Sequence, residues 1–211
     1  MEGIVDDLYF EVSDLANSIA KKTAIHFSKK IEEIKCHDIE QYMIEVEHVE
    51  FVDYNFKNNL NKKLLGSINK VQGEFIITTN TNLLFECKNF TKMHEIMHYY
   101  RDFSYDSKSH AFSDLILQKD YLPEDFDKEI AADIGASILM ANDRALKHAL
   151  EKLKTFDEIA NYFCIHKPAL KIRIMHYLEF TEGYTSEETY RLFKNNYYRN
   201  GQELLKCLYS S

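Results

Sequence analysis

The chain has 211 residues, a formal net charge of −8, and 45% hydrophobic and 13% aromatic content, enough apolar material for a core in one domain or two small ones. The acidic balance excludes a protein whose main task is to hold nucleic acid, because phosphate binding needs a concentrated cationic surface. Six glycines and two prolines leave few breaks, so a helix-rich structure with short connections is expected. Met1 to Asp7 has neither the basic stretch nor the apolar run of an export signal, and no segment approaches the roughly 18 apolar residues of a membrane span. A cytoplasmic protein is therefore expected. Cys36, Cys87, Cys164 and Cys207 stand singly, with no C-x-x-C pair. They read as reduced thiols and leave any metal to His and carboxylate.

Along the chain, Leu8, Val12, Leu15, Ile19, Ile25, Ile31 and Ile34 recur at helical spacing and predict one or two amphipathic helices between Asp6 and Ile34. Tyr42 to Phe56, with Ile44, Val46, Val49, Phe51 and Val52 among carboxylates, reads as a strand bulged near His48. Asn55 to Asn61 reads as a turn. Gly73 to Asn80 places β-branched and aromatic residues between Gly and Asn, a short strand whose edge could receive an extended peptide. Thr91 is expected to cap a helix running to about Arg101, followed by a Ser- and Asp-rich loop from Phe103 to His110. Pro123, Glu124 and Asp125 open a further helix through Glu129, Ala132, Ile138 and Met140, with acids in its first turns as the helix dipole favours.

The chemistry concentrates in His94-Glu95-Ile96-Met97-His98. On a helix, positions i and i+4 share one face, so both imidazoles can reach one zinc ion while Glu95 acts as general base toward water. Such a pentapeptide also arises by chance in a chain rich in His and Glu, and its surroundings decide. Hydrolysis needs a third protein ligand and an open position. Glu129 is the best candidate, because Asp133 follows four residues later on the same face and can accept the other ring N–H of a ligating His. The bland reading of Glu129 is a solvated acid at a helix start, and Asp102 is a weaker rival ligand. An oxyanion donor could be Tyr99, Tyr100, Tyr105 or His110, and spacing does not choose among them. His26, His37, His48, His148, His166 and His176 lack ligand-like spacing.

Phe90-Thr91-Lys92-Met93-His94-Glu95-Ile96-Met97-His98 resembles the F-T-x-x-H-E-x-x-H signature of the ImmA/IrrE metallopeptidases, which are gluzincin-type. Glu129 to Met140 is similar to that family's second element, and Gly73 to Asn80 to the strand before the signature. Met97 stands where the family usually has Gly, Ala131 where it has a second Glu, Ile134 where it has Phe, and Ala141 where Pro is common. The resemblance implies an α+β fold: a helix-rich, zincin-like metallopeptidase domain over residues 1–153, with a small antiparallel or mixed sheet, and a C-terminal helical region over 154–211 resembling a helix-turn-helix. It implies Zn2+ held by His94, His98 and Glu129, catalysis by Glu95, and Asp133 behind a ligand. It further implies a protein substrate, a helix-turn-helix repressor whose cleavage derepresses mobile-element or stress genes. The alternative is a regulatory antirepressor that acts by binding, with a structural zinc site.

Phe156 to Arg173 reads as two short helices joined by a turn, like the first helices of a helix-turn-helix. Lys167, Lys171 and Arg173 are balanced by Asp157, Glu158 and Glu179, so packing or substrate docking is expected there rather than DNA contact. From Thr185 onward, Tyr190, Leu192, Phe193, Tyr197, Leu204, Leu205 and Leu208 predict one or two more amphipathic helices.

Overall fold

With no Gly or Pro between Ile4 and His26, the first apolar stripe forms one continuous helix, α1 (Glu2–His26), which buries Tyr9, Val12, Ala16, Ile19 and Ala24 along one face. The computed structural model describes residues 2–57, 64–103, 112–115, 126–153 and 155–196. Ser28, in the left-handed region at φ 53°, ends this segment. A single 3-10 turn, Ile31–Glu33, follows. Next comes α2 (Cys36–Glu45), whose first turn is fixed by the Asp38 carboxylate accepting the Lys35 backbone N–H at 3.1 Å. The strand expected from Tyr42 onward is thereby shortened: Ile39, Tyr42 and Met43 are buried at helical spacing, and the α2 helix claims them. The chain reverses at His48, φ 55°, and only then enters β1 (Glu50–Tyr54).

A hairpin not anticipated from sequence joins β2 (Leu64–Val71) to β3 (Glu74–Asn80). Its turn residues Gln72 and Gly73 have φ of 54° and 97°, the two positive values that a tight two-residue hairpin requires. β2 was silent because Gly66, Ser67, Asn69 and Lys70 are weak strand formers. Its pairing with β3, Gly66 opposite Thr79 through Val71 opposite Glu74, supplies what local propensity does not. With β4 (Phe112–Leu115) the strands order as β1-β3-β2-β4. β1 runs parallel to β3, while β2 is antiparallel to both neighbours, so the sheet is mixed and the fold is α+β. β3 is interior, its backbone paired on both sides, so it is not the edge that could receive a peptide. Among the described residues the edges are β1 and β4.

The long helix α3 (Phe85–Arg101) begins six residues before Thr91, with Leu84 at its N-cap. Thr91 is no cap but an interior residue, 2% exposed. Helix α4 (Phe126–Met140) packs on α3. The expected loop from residue 104 to His110 and the expected helix start at Pro123 to Asp125 lie outside the described residues. After α4 come α5 (Asp143–Lys152), capped by the Asn142 side chain on the Ala145 N–H, and then α6 (Phe156–Phe163) and α7 (Lys167–His176). Left-handed Cys164, φ 51°, makes the turn between α6 and α7. A π turn (Tyr177–Thr181) and α8 (Ser186–Asn196) complete the order, and the rest of the expected C-terminal helix lies outside the described residues. Among the described residues no helix is long and apolar enough to cross a membrane, and Cys36, Cys87 and Cys164 are free thiols.

One buried apolar cluster runs from Tyr9 to Phe193. Fully buried Arg173 of α7 is built into it: its Nε donates to the Ala141 carbonyl at 2.9 Å and its guanidinium pairs with Asp143. The second Asp143 oxygen accepts from Asn17 of α1 at 2.8 Å.

Where α3 packs on α4, the Met97 side chain fills the space beside Gly135 that a Cβ would occupy. A Cβ at 135 would lie 2.4 Å from Met97 Cε and 2.6 Å from its Cγ and Sδ. Gly135→Ala gains about 1 kcal/mol of helix propensity but meets an overpacking cost of about 1–3 kcal/mol, so it should lower stability by about 1 kcal/mol. In a Met97→Ala background the same change should become stabilising. Denaturant midpoints of the four chains measure this, and additive effects would show that the contact is soft.

Candidate metal centre

α3 presents His94 and His98 one turn apart toward α4, whose first turn carries Glu129. The three are 2%, 1% and 8% exposed. His94 Nε2 lies 3.0 Å from His98 Nε2 and 3.1 Å from Glu129 Oε2, and His98 Nε2 lies 3.6 Å from Glu129 Oε1.

The opposite ring nitrogens define the tautomers. His94 Nδ1 lies 3.0 Å from Asp133 Oδ1, and His98 Nδ1 lies 2.6 Å from Asp102 Oδ2. Each ring donates N–H to its carboxylate, so in the neutral rings both Nε2 atoms carry lone pairs. Two nitrogen lone pairs and a carboxylate then face one point. A cation at that point would relieve the arrangement. The spacing suits a metal: tetrahedral ligands at zinc bond lengths stand about 3.3 Å apart. The described residues thus hold one buried group able to bind a metal ion, His94, His98 and Glu129.

The electrostatics agree. Burial pushes the Glu129 carboxyl up, but its contacts with His94 and then His98 outweigh this and hold it at about 2. Burial pushes the His98 imidazole down, while Asp102 and Glu129 more than compensate and raise it.

Asp102, which sequence reading offered as a rival ligand, binds the far side of His98 instead. At the α3 C-cap it is 7% exposed, with Arg101 Nη1 at 3.6 Å from its other oxygen. Asp133 occupies the corresponding place behind His94 but is 56% exposed. The two His–carboxylate pairs therefore differ in access to water.

Glu95, on the helix turn between the two ligands, is fully buried. The residue that sequence reading missed here is Gly66. A Cβ at Gly66 would stand 2.4 Å from Thr91 Cγ2, 2.9 Å from the Thr78 carbonyl and 3.3 Å from Glu95 Oε1, so β2 lies directly over the turn of α3 that carries Glu95. The ladder between β2 and β4 shifts register between Leu64 and Gly66, a bulge of the kind found beside functional sites. The one sequence signal was a glycine in a strand. Tyr99 and Tyr100, considered as oxyanion donors, both donate to the Glu47 carboxylate, at 3.0 and 2.9 Å. Tyr105 and His110 lie outside the described residues. His26 pairs with Glu45 at 2.8 Å, away from this cluster.

The chain matches no protein-family model, and no curated protein matches it either. The residues and their geometry carry the assignment.

Two outcomes are expected. Asp102→Asn should lower Zn2+ affinity by about 10–100-fold in competition titration with a chromophoric chelator, while an unchanged affinity would leave Asp102 a helix cap only. For Glu129, a depressed carboxyl contributes stability that is complete above its ordinary value of 4.5 and is lost as pH falls toward about 2. The stability difference between the metal-free protein and Glu129→Gln should therefore shrink through that window, as read by denaturant unfolding at several pH values.

Proposed function

We propose that this chain is a zinc-dependent endopeptidase of the ImmA/IrrE type, with a zincin-like core, that cuts a helix-turn-helix repressor and so derepresses mobile-element or stress genes. The observation that carries the reading is the convergence of three lone-pair donors from α3 and α4 on one point beside buried Glu95. The resemblance of Phe90 to His98 and of Glu129 to Met140 to the family's two elements supports it. So does the donor set, since two imidazoles and one carboxylate with an open position are characteristic of hydrolytic zinc.

In this reading His94, His98 and Glu129 hold the ion, and Asp133 and Asp102 keep the Nδ1 protons in place so that both Nε2 atoms face inward. Bound zinc supplies Lewis acidity, polarising the scissile carbonyl and acidifying the attacking water. Glu95 accepts the proton of that water and returns it to the leaving nitrogen, so the carboxylate is regenerated in each turnover. Closure of the site to solvent strengthens each of these interactions. α6 and α7 would serve packing or substrate docking.

The test is co-expression with helix-turn-helix repressors encoded beside its own gene, read on a gel. Glu95→Gln should abolish cleavage and retain zinc, whereas His94→Ala and Glu129→Ala should lose zinc by elemental analysis. Full cleavage by Glu95→Gln would sink the mechanism. Release of a repressor from its operator without cutting would favour a binding antirepressor with a structural ion.

A further inference from the structure

A half-open pocket of about 320 Å³ lies between α3, α4 and α7, at the small end of ligand-binding cavities. Its walls are apolar, formed by Phe90, Ile130, Ile134 and Ile172, with Asp133 and His176 as polar ends. It lies on the Nδ1 side of His94, and the candidate metal ligands converge on the opposite nitrogen, so it is separate from the catalytic face. Among the described residues its only charged lining group is Asp133. The carboxylate gives Oδ1 to His94 at 3.0 Å, and its side chain is 56% exposed, which leaves Oδ2 for a second donor. His176 contributes no positive charge, since burial and then nearby Arg173 push its imidazole down to about 4. Its Nδ1 is buried without a partner. The hydroxyl of Ser137, also in the wall, is committed to the Ile134 carbonyl at 2.7 Å.

We propose that this pocket binds a small amphiphilic cation, an aryl- or alkylammonium whose apolar body fills the space between α4 and α7 and whose head pairs with Asp133. An apolar cavity with one carboxylate and no cation selects for that class and against anions. The consequence reaches the metal ligands, and here the inference rests on the proposed metal-binding role of His94. The ammonium competes with the His94 N–H for the Asp133 carboxylate and adds positive charge on the side from which His94 draws its basicity. Cation and metal therefore weaken one another, and by linkage they do so by the same factor. The pocket would act as a brake: an organic amine lowers metal occupancy without entering the catalytic face.

The test uses protein with 13C-labelled isoleucine methyl groups, in chelator-treated and zinc-loaded forms, titrated with 2-phenylethylammonium, 3-phenylpropanol and 3-phenylpropionate. The ammonium should shift the methyls of Ile130, Ile134 and Ile172 and bind about tenfold tighter than the alcohol, as a charge-assisted hydrogen bond provides, with the carboxylate weakest. Asp133→Asn should erase the preference for the ammonium. Ala169→Phe, which fills the pocket from α7, should abolish the shifts. Zinc should weaken ammonium binding by about fivefold. Equal binding of alcohol or carboxylate, or shifts that spare the three isoleucines, overturns the site. Indifference of ammonium binding to zinc overturns the coupling. The titration without metal stands apart from catalysis, so a failed peptidase reading and a failed pocket are distinguished.

Discussion

A ligand set drawn from two helices exists only while those helices keep their spacing, and here Met97 resting on the bare backbone of Gly135 sets it. Met97 lies between the two histidines in sequence, so the contact that fixes interhelical distance is one residue from a ligand. Elsewhere on α3, Gly66 lets β2 come close to Thr91 and, less closely, to Glu95. The turn of α3 from Thr91 to Met97 is thus held between two glycines, one in a helix and one in a strand. Each is a place where a methyl group would push the functional residues apart. The residue before His98 is the bulky Met97, and the bare position that receives it stands on α4 at Gly135.

That packing concentrates groups which repel one another without a cation. Two imidazole lone pairs and a carboxylate are costly neighbours in a buried place, and the Nδ1 carboxylates offset part of the cost by fixing both rings. The contacts that raise His98 and depress Glu129 are the ones among these donors. A metal ion held by the same three groups would neutralise their mutual repulsion.

The parts legible in sequence were those where one helical turn carries the information. His94 with His98 and Glu129 with Asp133 are both i, i+4 pairs, and each pair is brought onto one face by the helix alone. Asp102 was legible as a neighbour of His98, but spacing does not say which ring nitrogen it meets, so it read as a rival ligand instead of a support. Failures came where tertiary contacts override local pattern. β2 is a strand because β3 and β4 pair with it, in spite of Gly66, Ser67 and Asn69. Tyr42 and Met43 alternate plausibly as a strand, yet Ile39 before them completes a helical face. Thr91 looked like a cap because it precedes the histidines, while no Gly or Pro in Phe85 to Phe90 stops the helix from starting earlier. Gly66 left only a glycine within a strand as its signal, and nothing local says that it approaches Glu95, so far along the chain.

Arg173 reaches from α7 to Asp143, and Asp143 in turn holds Asn17 of α1, in an ion pair whose guanidinium is fully buried while water still reaches its carboxylate. Loss of Arg173 would leave the Asp143 carboxylate to whatever water reaches it, at a cost below the roughly 3–5 kcal/mol of a fully buried unpaired charge. Shortening the chain before α7 would therefore do more than remove two helices: it would take the guanidinium partner from Asp143 at the start of α5. In evolutionary terms the C-terminal helices cannot be traded as an independent cassette, and any lineage that exchanges them must replace Arg173 and Asp143 together.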